Sequence, residues 1–216
     1  MLRPLLARAW FALTALAVLI GLIIQVDVSA GLTGTQFSTV GGLVFNVFCY
    51  FTVQSNVIVG VTTALLAVGP HRTSTAFRVF RLAGLIGITI TGVVFHLVLA
   101  GLQDLKGAAA TADLLLHTVV PVLTVVGWLL FGPRRLTSWR VATLALLFPL
   151  GWVAFALVRG ELIGFYAYPF IDVRVLGYPR VLGNVVLVGL LFFSLAAGAI
   201  LLDRRLPRHS RIPGLR

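Results

Sequence analysis

Hydrogen-bonding side chains are unusually dense in segment 46–56, although the residues on both sides of it are strongly apolar. At helical spacing Cys49, Thr52 and Asn56 share one face, and Ser55 lies beside it. A threonine hydroxyl is a weak nucleophile until a neighbouring base accepts its proton. The stripe therefore predicts either an acyl-transfer nucleophile at Thr52 or a set of hydrogen bonds between packed helices.

His117 is the strongest candidate for that base, because Asp113 precedes it by one helical turn and Pro121 follows it by one. An aspartate beside a histidine fixes its tautomer and stabilises its cation, as a general base requires. Pro121 also frees a backbone carbonyl in this turn, since proline has no N–H to donate. We therefore predict a Thr52 and His117 pair oriented by Asp113. The alternative is a His117 that hydrogen-bonds a neighbouring helix.

His96 and Gln54 are secondary candidates with a mainly structural interpretation. Gln54 points away from the stripe, and both it and Ser55 are typical of the polar contacts that hold membrane helices together. His96 and His117 also permit axial ligation of a haem between neighbouring helices. The His-Glu-x-x-His motif, the Gly-x-Ser-x-Gly elbow and phosphate-binding glycine loops are absent from the sequence. We therefore predict no metal and no cofactor, with haem as the lesser alternative.

The composition requires a membrane to position these residues. Of the 216 residues, 59% are hydrophobic and 11% are charged, and the mean hydropathy is +1.06. Soluble domains contain roughly 45–50% apolar residues. A bilayer core about 30 Å thick takes roughly 20 helical residues to cross, and a helix satisfies its own backbone in lipid. We predict a single all-α domain, 1–216, a polytopic membrane bundle of six helices at about 9–28, 43–68, 82–102, 112–131, 141–158 and 181–202.

The basic residues are distributed unevenly over the predicted loops. The basic residues fall into a larger set on one side of the membrane and a smaller set on the other. Because positive charge concentrates on the cytoplasmic side of membrane proteins, the larger set predicts a protein of the cell membrane with both termini in the cytoplasm. This distribution also explains the net charge of +11 without nucleic acid. Membrane lipids are then the expected partners, contacted by a basic tail at 203–216. The stretch 9–28, followed by Ser29-Ala30, also permits a cleaved signal peptide. The larger set is Arg3, Arg8, Arg72, Arg78, Arg81, Arg134, Arg135, Arg140, Arg204, Arg205, Arg208, Arg211 and Arg216, against Lys106, Arg159, Arg174 and Arg180.

Thr52, His96 and His117 lie at a similar distance along their helices from the predicted cytoplasmic end. With a helical rise of about 1.5 Å per residue, that distance is roughly 22–27 Å, in the outer half of the membrane. The outer loop before the sixth helix is rich in Tyr, Phe and Pro, as in an aromatic belt at the membrane interface. The alternative is a lid over the polar site, in which Tyr166 or Tyr168 donates to an oxyanion or positions a lipid.

Two short runs resemble the Pr6Pr family of bacterial six-pass membrane proteins: Phe51-Thr52-Val53-Gln54-Ser55-Asn56 and His117-Thr118-Val119-Val120-Pro121. The resemblance covers most of the chain. More distantly, the sequence is similar to the androgen-induced-gene family, multipass threonine hydrolases that cleave fatty acid esters of hydroxy fatty acids. That resemblance implies a catalytic threonine and histidine on different helices, here Thr52 and His117. Tyr168-Pro169-Phe170 matches a Tyr-Pro-Phe run after the fifth helix.

The leading functional hypothesis is an intramembrane hydrolase of lipid or fatty acid esters, with a lipid-like substrate. Thr52 is its nucleophile and His117 its base, Asn56 or Tyr168 stabilises the oxyanion, and Ser55 supports the site. The alternative is a non-enzymatic membrane scaffold or small-molecule carrier, whose polar stripe only joins helices or binds a ligand. Small residues are spread too widely along the sequence to define a dimer face.

Overall fold

The computed structural model describes residues 2–69, 72–102 and 104–206, with side chains from Pro4 onward. These residues form helices and short connections, and six helical spans are long and apolar enough to cross a membrane. The predicted all-α architecture of a multipass membrane protein is therefore confirmed. The spans are Pro4–Ala30, Phe51–Val68, Thr75–Leu99, Gly107–Phe131, Trp139–Ile163 and Val173–Arg205.

Several spans contain more than one helical segment, because the backbone changes its hydrogen-bond register within them. π-helical turns follow α4, at Phe95–Leu99, and join α5 to α6, at Leu115–Val119. The α-helices of the described chain are α1 (Leu2–Ala30), α2 (Val40–Phe48), α3 (Phe51–Val68), α4 (Thr75–Val94), α5 (Gly107–Leu114), α6 (Val120–Phe131), α7 (Trp139–Ala145), α8 (Leu147–Ile163) and α9 (Val173–Arg205).

Helix ends extend beyond the predicted apolar runs. Ser74 accepts a hydrogen bond from the Phe77 N–H at 3.3 Å, so α4 begins well before residue 82 and includes arginines that the apolar run left out. At the other end of the bundle, α8 continues to Ile163 and α9 already begins at Val173, so the connection between them is short. The start of the predicted basic tail belongs to α9, and residues 207–216 lie outside the described residues.

The second predicted helix is broken between α2 and α3. Tyr50 has extended backbone angles, φ −76° and ψ 138°, so the helical ladder stops at Cys49 and restarts with α3. Carbonyls freed by the break have side-chain donors. Trp152 Nε1 donates to Cys49 O at 3.0 Å, and Gln54 Nε2 donates to Phe48 O, also at 3.0 Å. Because lipid supplies no donors, these two side chains are what allow a break at this depth.

The π turn between α5 and α6 contains His117 and follows from Pro121. In this turn the Val120 N–H donates to Leu115 O, five residues earlier. The next donor in the same register would be Pro121, which has no N–H. In the π register, the carbonyl that lacks a helical donor is therefore that of Leu116. In a regular α-helix, Pro121 would instead leave the His117 carbonyl without a donor.

Helix α3 packs closely against α1 and α4, because glycines replace side chains at the contacts. A β-carbon on Gly60 would lie 2.9 Å from Val18 Cγ1, and one on Gly84 would lie 2.9 Å from Ile58 Cγ2. Small residues at such positions let membrane helices approach each other. The helices that carry Thr52 and its neighbours are thus held at short range.

The two ends of the bundle differ in chemistry. We call one the arginine end, and its side chains cap helix C-termini. Arg8 Nε donates to Ala67 O at 2.7 Å. Arg72 Nε donates to Leu65 O at 3.1 Å. We call the opposite end the aromatic end, and define it by the connections 31–39 and 164–172. The arginine end contains Arg8, Arg72, Arg78, Arg81 and Arg134.

Candidate functional site

Thr52 lies in the first turn of α3, directly after the helix break, and is buried. Its Oγ1 and the hydroxyl of Tyr168 are 3.1 Å apart, and its own N–H donates to that hydroxyl at 3.2 Å. The first N–H groups of a helix have no acceptor within the helix. The Tyr168 oxygen therefore occupies a position that faces both the threonine hydroxyl and an otherwise unsatisfied backbone donor.

Aromatic rings hold Tyr168 in this place. Its ring stacks on Phe170, with centroids 5.2 Å apart, and meets the edge of Tyr50 at 5.6 Å. Trp152, which donates to the carbonyl at the helix break, contacts the same ring at 5.6 Å. Burial raises the pKa of Tyr168 to about 12, against a smaller lowering by its hydrogen bond to Thr52. At neutral pH this phenol is a hydrogen-bond donor and not a base.

Asn56 connects α3 to the π turn of His117. It is fully buried, and its Nδ2 donates to Thr52 O at 2.9 Å and to Leu116 O at 3.2 Å. The latter is the carbonyl that Pro121 leaves without a donor. Within the described residues, Asn56 Oδ1 has no hydrogen-bond partner. Asn56 therefore combines a structural bond with a spare acceptor beside Thr52.

Ser55 adds a second spare polar group to the same helix. It is fully buried, its Oγ has no partner among the described residues, and it faces Gly87 on α4. A β-carbon on Gly87 would lie 2.9 Å from that oxygen. One turn farther along α4, Thr91 is also buried with an unpartnered Oγ1 in the described part of the chain. Thr91 is not among the residues predicted from the sequence, where its signal is its i+4 spacing from Gly87.

His117 makes the contact with Asp113 that helical spacing predicts. Its Nδ1 lies 2.9 Å from Asp113 Oδ1 and 3.2 Å from Asp113 O. Its ring stacks on Phe95, with centroids 4.2 Å apart and planes at 14°. The side chain keeps 19% of its surface exposed. The histidine is thus oriented from both sides, by a carboxylate and by an aromatic face.

Thr52 and His117 have separate partners in this structure. Thr52 is bonded to Tyr168 and His117 to Asp113, and no hydrogen bond joins the two side chains within the described residues. The connection between them runs through Asn56, which bonds the carbonyl next to His117. The nucleophile and the base predicted from sequence therefore lie on neighbouring helices, and among the described residues no hydrogen bond joins their side chains.

His96 takes a structural position. Its Nε2 lies 3.3 Å from Thr118 Oγ1, and its ring centroid is 5.2 Å from that of Phe95. The Phe95 ring also stacks on the ring of His117. One phenyl ring thus contacts both histidines. Among the described side chains, no group of three or more His, Cys, Asp and Glu forms a metal cluster. No feature of this arrangement adds support to the haem alternative.

The two connections of the aromatic end pack against each other. Phe37 meets Phe165 edge to face at 5.3 Å, and the Arg159 guanidinium lies over both rings, at 5.6 and 5.3 Å. Arg159 also donates to Asn46 Oδ1 at 2.8 Å, which ties α8 to α2. Apolar length predicts a loop position for Arg159, but this residue lies within α8 and contacts both connections of the aromatic end.

Tyr166 is turned away from Thr52. Its ring is buried against Gly160, where a β-carbon would overlap it, and its hydroxyl donates to Glu161 Oε2 at 3.3 Å. Of the two tyrosines predicted for a lid, Tyr168 alone contacts the nucleophile candidate. Gln54 likewise serves the helix break and not the site.

The candidate site thus combines the buried hydroxyl of Thr52 at the start of α3 with the neutral phenol of Tyr168, which is hydrogen-bonded to it. His117 and Asp113 form a pair on the adjoining helix. No protein-family model, curated protein or solved structure matches this chain.

Proposed function

We propose that this multipass membrane protein is an intramembrane hydrolase of lipid or fatty acid esters, with Thr52 as its nucleophile. The observation that carries the proposal is that the Thr52 hydroxyl and its own backbone N–H face the same oxygen, that of Tyr168, at 3.1 and 3.2 Å. In chymotrypsin-type serine proteases the nucleophile's own N–H is part of the oxyanion hole. The Tyr168 oxygen stands where the carbonyl oxygen of an ester would bind.

The start of α3 suits this role electrostatically. Backbone N–H groups of a first helical turn point toward a bound oxygen, and the positive end of the helix dipole favours negative charge there. Donors that are fixed before the reaction stabilise an oxyanion without reorganisation. Once displaced from the N–H, the neutral Tyr168 hydroxyl is an additional donor for the same oxyanion, and Asn56 holds the helix in place through the Thr52 carbonyl.

His117 is the base of the proposed reaction, and Asp113 orients it through Nδ1 at 2.9 Å. Thr52 Oγ1 attacks the ester carbonyl carbon while His117 accepts its proton, and His117 then protonates the departing alcohol. A water then gives a proton to His117 and attacks the acyl carbonyl, and His117 returns that proton to Thr52 Oγ1 as the carboxylic acid leaves. In the resting arrangement Tyr168 is the partner of Thr52, so ester entry has to displace the phenol before His117 reaches the hydroxyl.

The surroundings support a membrane-embedded substrate. Thr52 is the second residue of the span Phe51–Val68, and under this proposal the acyl chains enter from the bilayer. We propose that the arginine end is cytoplasmic, because positive charge concentrates on that side of membrane proteins. Both termini then lie in the cytoplasm of a protein of the cell membrane, and the site lies in the outer half of the bilayer.

The test is hydrolysis by the purified protein in detergent of simple lipid esters and of fatty acid esters of hydroxy fatty acids. Thr52→Ala and His117→Ala should each lower turnover at least about 100-fold, whereas Thr52→Ser should retain part of it. Thr124→Ala is the matched control, because that hydroxyl donates to the Val120 carbonyl of its own helix, at 2.7 Å, and has no other hydrogen bond within the described residues. All variants must keep the wild-type elution volume and thermal midpoint.

The double variant Thr52→Ala with His117→Ala sharpens the same test. Residues that act as one unit are strongly non-additive, so the double variant should be no slower than either single one. Turnover that survives both single substitutions, or that falls equally in Thr124→Ala, would rule out the Thr52 and His117 hydrolase.

A non-enzymatic ligand-binding protein or small-molecule carrier is the second candidate. The helix break at Tyr50 favours it, because membrane transporters bind ligands where a helix is interrupted. The unpartnered Ser55 Oγ and Asn56 Oδ1 beside the break are suitable ligand contacts. Under this proposal lipid esters bind and are released unchanged, and Ser55→Ala weakens binding while Thr52→Ser leaves it unchanged.

A further inference from the structure

A small cavity lies inside the bundle, between α1, α3, α4 and α6. Its space for the centre of a water molecule is about 20 Å³, and one buried water needs roughly 10–15 Å³ on the same measure. The lining includes Arg81 of α4 and three buried threonines, Thr14 of α1 and Thr62 and Thr63 of α3. The cavity therefore has the size and the polarity of a water site.

The cavity lies within the membrane-spanning part of the bundle. Thr14 follows Arg8 by six residues on α1, and Thr62 precedes Gly69, the C-cap of α3, by seven. With a helical rise of about 1.5 Å per residue, both threonines are roughly 10 Å from the arginine end. Arg81 also belongs to an apolar span, Thr75–Leu99. An arginine in such a span faces the bundle interior or a water-filled cavity, because lipid does not hydrate its charge.

The three threonines offer acceptors to the cavity. Each hydroxyl donates to the backbone carbonyl four residues before it, over distances of 2.9, 2.8 and 2.7 Å for Thr14, Thr62 and Thr63. A hydroxyl that has donated its one proton still has lone pairs that accept hydrogen bonds. A ligand of these threonines must therefore be a donor.

Arg81 supplies the donors of the cavity. Its guanidinium donates to the Gly132 carbonyl and lies over the Phe11 ring at 5.7 Å, and a guanidinium has more N–H groups than these contacts use. The negative charge of Asp203 already acts on Arg81, so the site does not call for an anion. A ligand between Arg81 and the threonines has to accept from the first and donate to the second. Water does both and is neutral.

Arg81 also borders a second, smaller space, next to the connection before α7. This space is about 10 Å³ on the same measure, room for about one water, and its lining includes Arg78 and Thr137. Arg78 Nε is buried and has no hydrogen-bond partner in the described part of the chain. Arg81 is therefore bordered by water-sized space in two places.

We propose that the cavity between α1, α3, α4 and α6 is a hydration site, whose water accepts a hydrogen bond from Arg81 and donates to the threonine hydroxyls. This water joins α4 to α1 and α3, and it allows the arginine to keep its charge inside the bundle. Thr62 is ten residues from Thr52, about 15 Å along α3, and the hydration site does not depend on the proposed hydrolysis.

A crystal structure from a lipid mesophase tests the site directly. At about 2 Å resolution, we expect a water peak about 2.7–3.2 Å from an Arg81 nitrogen and from at least one of the three threonine hydroxyls. A cavity without density in such a map would overturn the proposal.

Radiolytic hydroxyl-radical labelling of the purified protein is the second measurement. Radicals form from the waters already present, so a side chain beside a bound water is oxidised although it is buried. Phe11 lines the cavity and is 4% exposed, whereas Phe192 is 2% exposed and lines neither space. Phe11 should be oxidised several-fold faster than Phe192, and equal rates would count against a bound water.

Thr62→Ile connects the labelling to the cavity. Isoleucine replaces the hydroxyl with an apolar group and adds a carbon, so it takes both an acceptor and space from the water. The oxidation rate of Phe11 should fall to that of Phe192. Thr143→Ile is the matched control, because Thr143 is exposed on α7, outside the cavity, and donates to the carbonyl four residues before it at 3.0 Å. It should leave the rate at the wild-type value.

A fall in the Phe11 rate in both variants, or in neither, would refute the assignment of the water to this cavity. Both variants must keep the wild-type elution volume. Thr62→Val replaces Thr62→Ile if the larger side chain prevents folding. It removes the acceptor at nearly unchanged volume and should still lower the rate.

Discussion

Replacing Asn56 with leucine should destabilise the bundle, because it removes the donor that serves the Leu116 carbonyl. Asn56 Nδ2 donates to Leu116 O at 3.2 Å and to Thr52 O at 2.9 Å. The Thr52 carbonyl is also an acceptor within the backbone hydrogen bonds of α3. The Leu116 carbonyl has no such second donor, because its partner in the π register would be Pro121, which has no N–H. The substitution therefore leaves one buried carbonyl without a donor, which costs about 1–3 kcal/mol.

A second substitution tests this reason. Pro121→Ala restores an N–H to the turn. It should therefore raise the free energy of unfolding more in the Asn56→Leu variant than in the wild type, where Asn56 already serves the carbonyl. We expect a coupling of about 1 kcal/mol or more in a double-mutant cycle, measured by unfolding in mixed detergent micelles. Asn184→Leu is the control, because its Nδ2 donates to Phe170 O at 2.8 Å, away from the turn. Strict additivity of Asn56→Leu and Pro121→Ala would refute the reasoning.

Two further predictions concern the surroundings of Thr52. Trp152→Phe removes the donor to Cys49 O and should cost about 1–3 kcal/mol in the same unfolding assay, whereas the exposed Trp139→Phe should cost less than about 0.5 kcal/mol. Burial raises the pKa of Tyr168 from 10.0 to about 12, so its neutral form contributes stability that is fully present below pH 10 and is lost as the pH rises to 12. The wild-type unfolding midpoint should therefore fall more steeply across that range than that of Tyr168→Phe, and parallel curves would contradict the assignment.

The positions of the spans follow from apolar length, because crossing a bilayer core needs a run of roughly 20 helical residues whatever the rest of the chain does. The predicted ends are less accurate. Arg78 and Arg81 fall outside the apolar run, yet both belong to α4, since Ser74 caps that helix and Arg81 donates to the Gly132 carbonyl at the arginine end. Charge marks the limit of the hydrocarbon core and not the limit of the helix.

The helix break had no local signal in the sequence. Neither proline nor glycine lies at Cys49 and Tyr50, and the polar residues around them were predicted to continue one helix. The break is stable because Trp152, distant in the sequence, donates to the freed carbonyl. A backbone that changes direction in lipid depends on donors that only the assembled bundle supplies.

The sequence by itself determined the six apolar helices and the Asp113 and His117 contact, because apolar runs and i,i+4 neighbours are set by local geometry. Tertiary structure decided that Thr52 begins a half-helix and that its partner is Tyr168, 116 residues away. Periodicity gives the face on which a side chain lies but not the group opposite it. That choice depends on how distant segments pack, where each buried donor must find an acceptor.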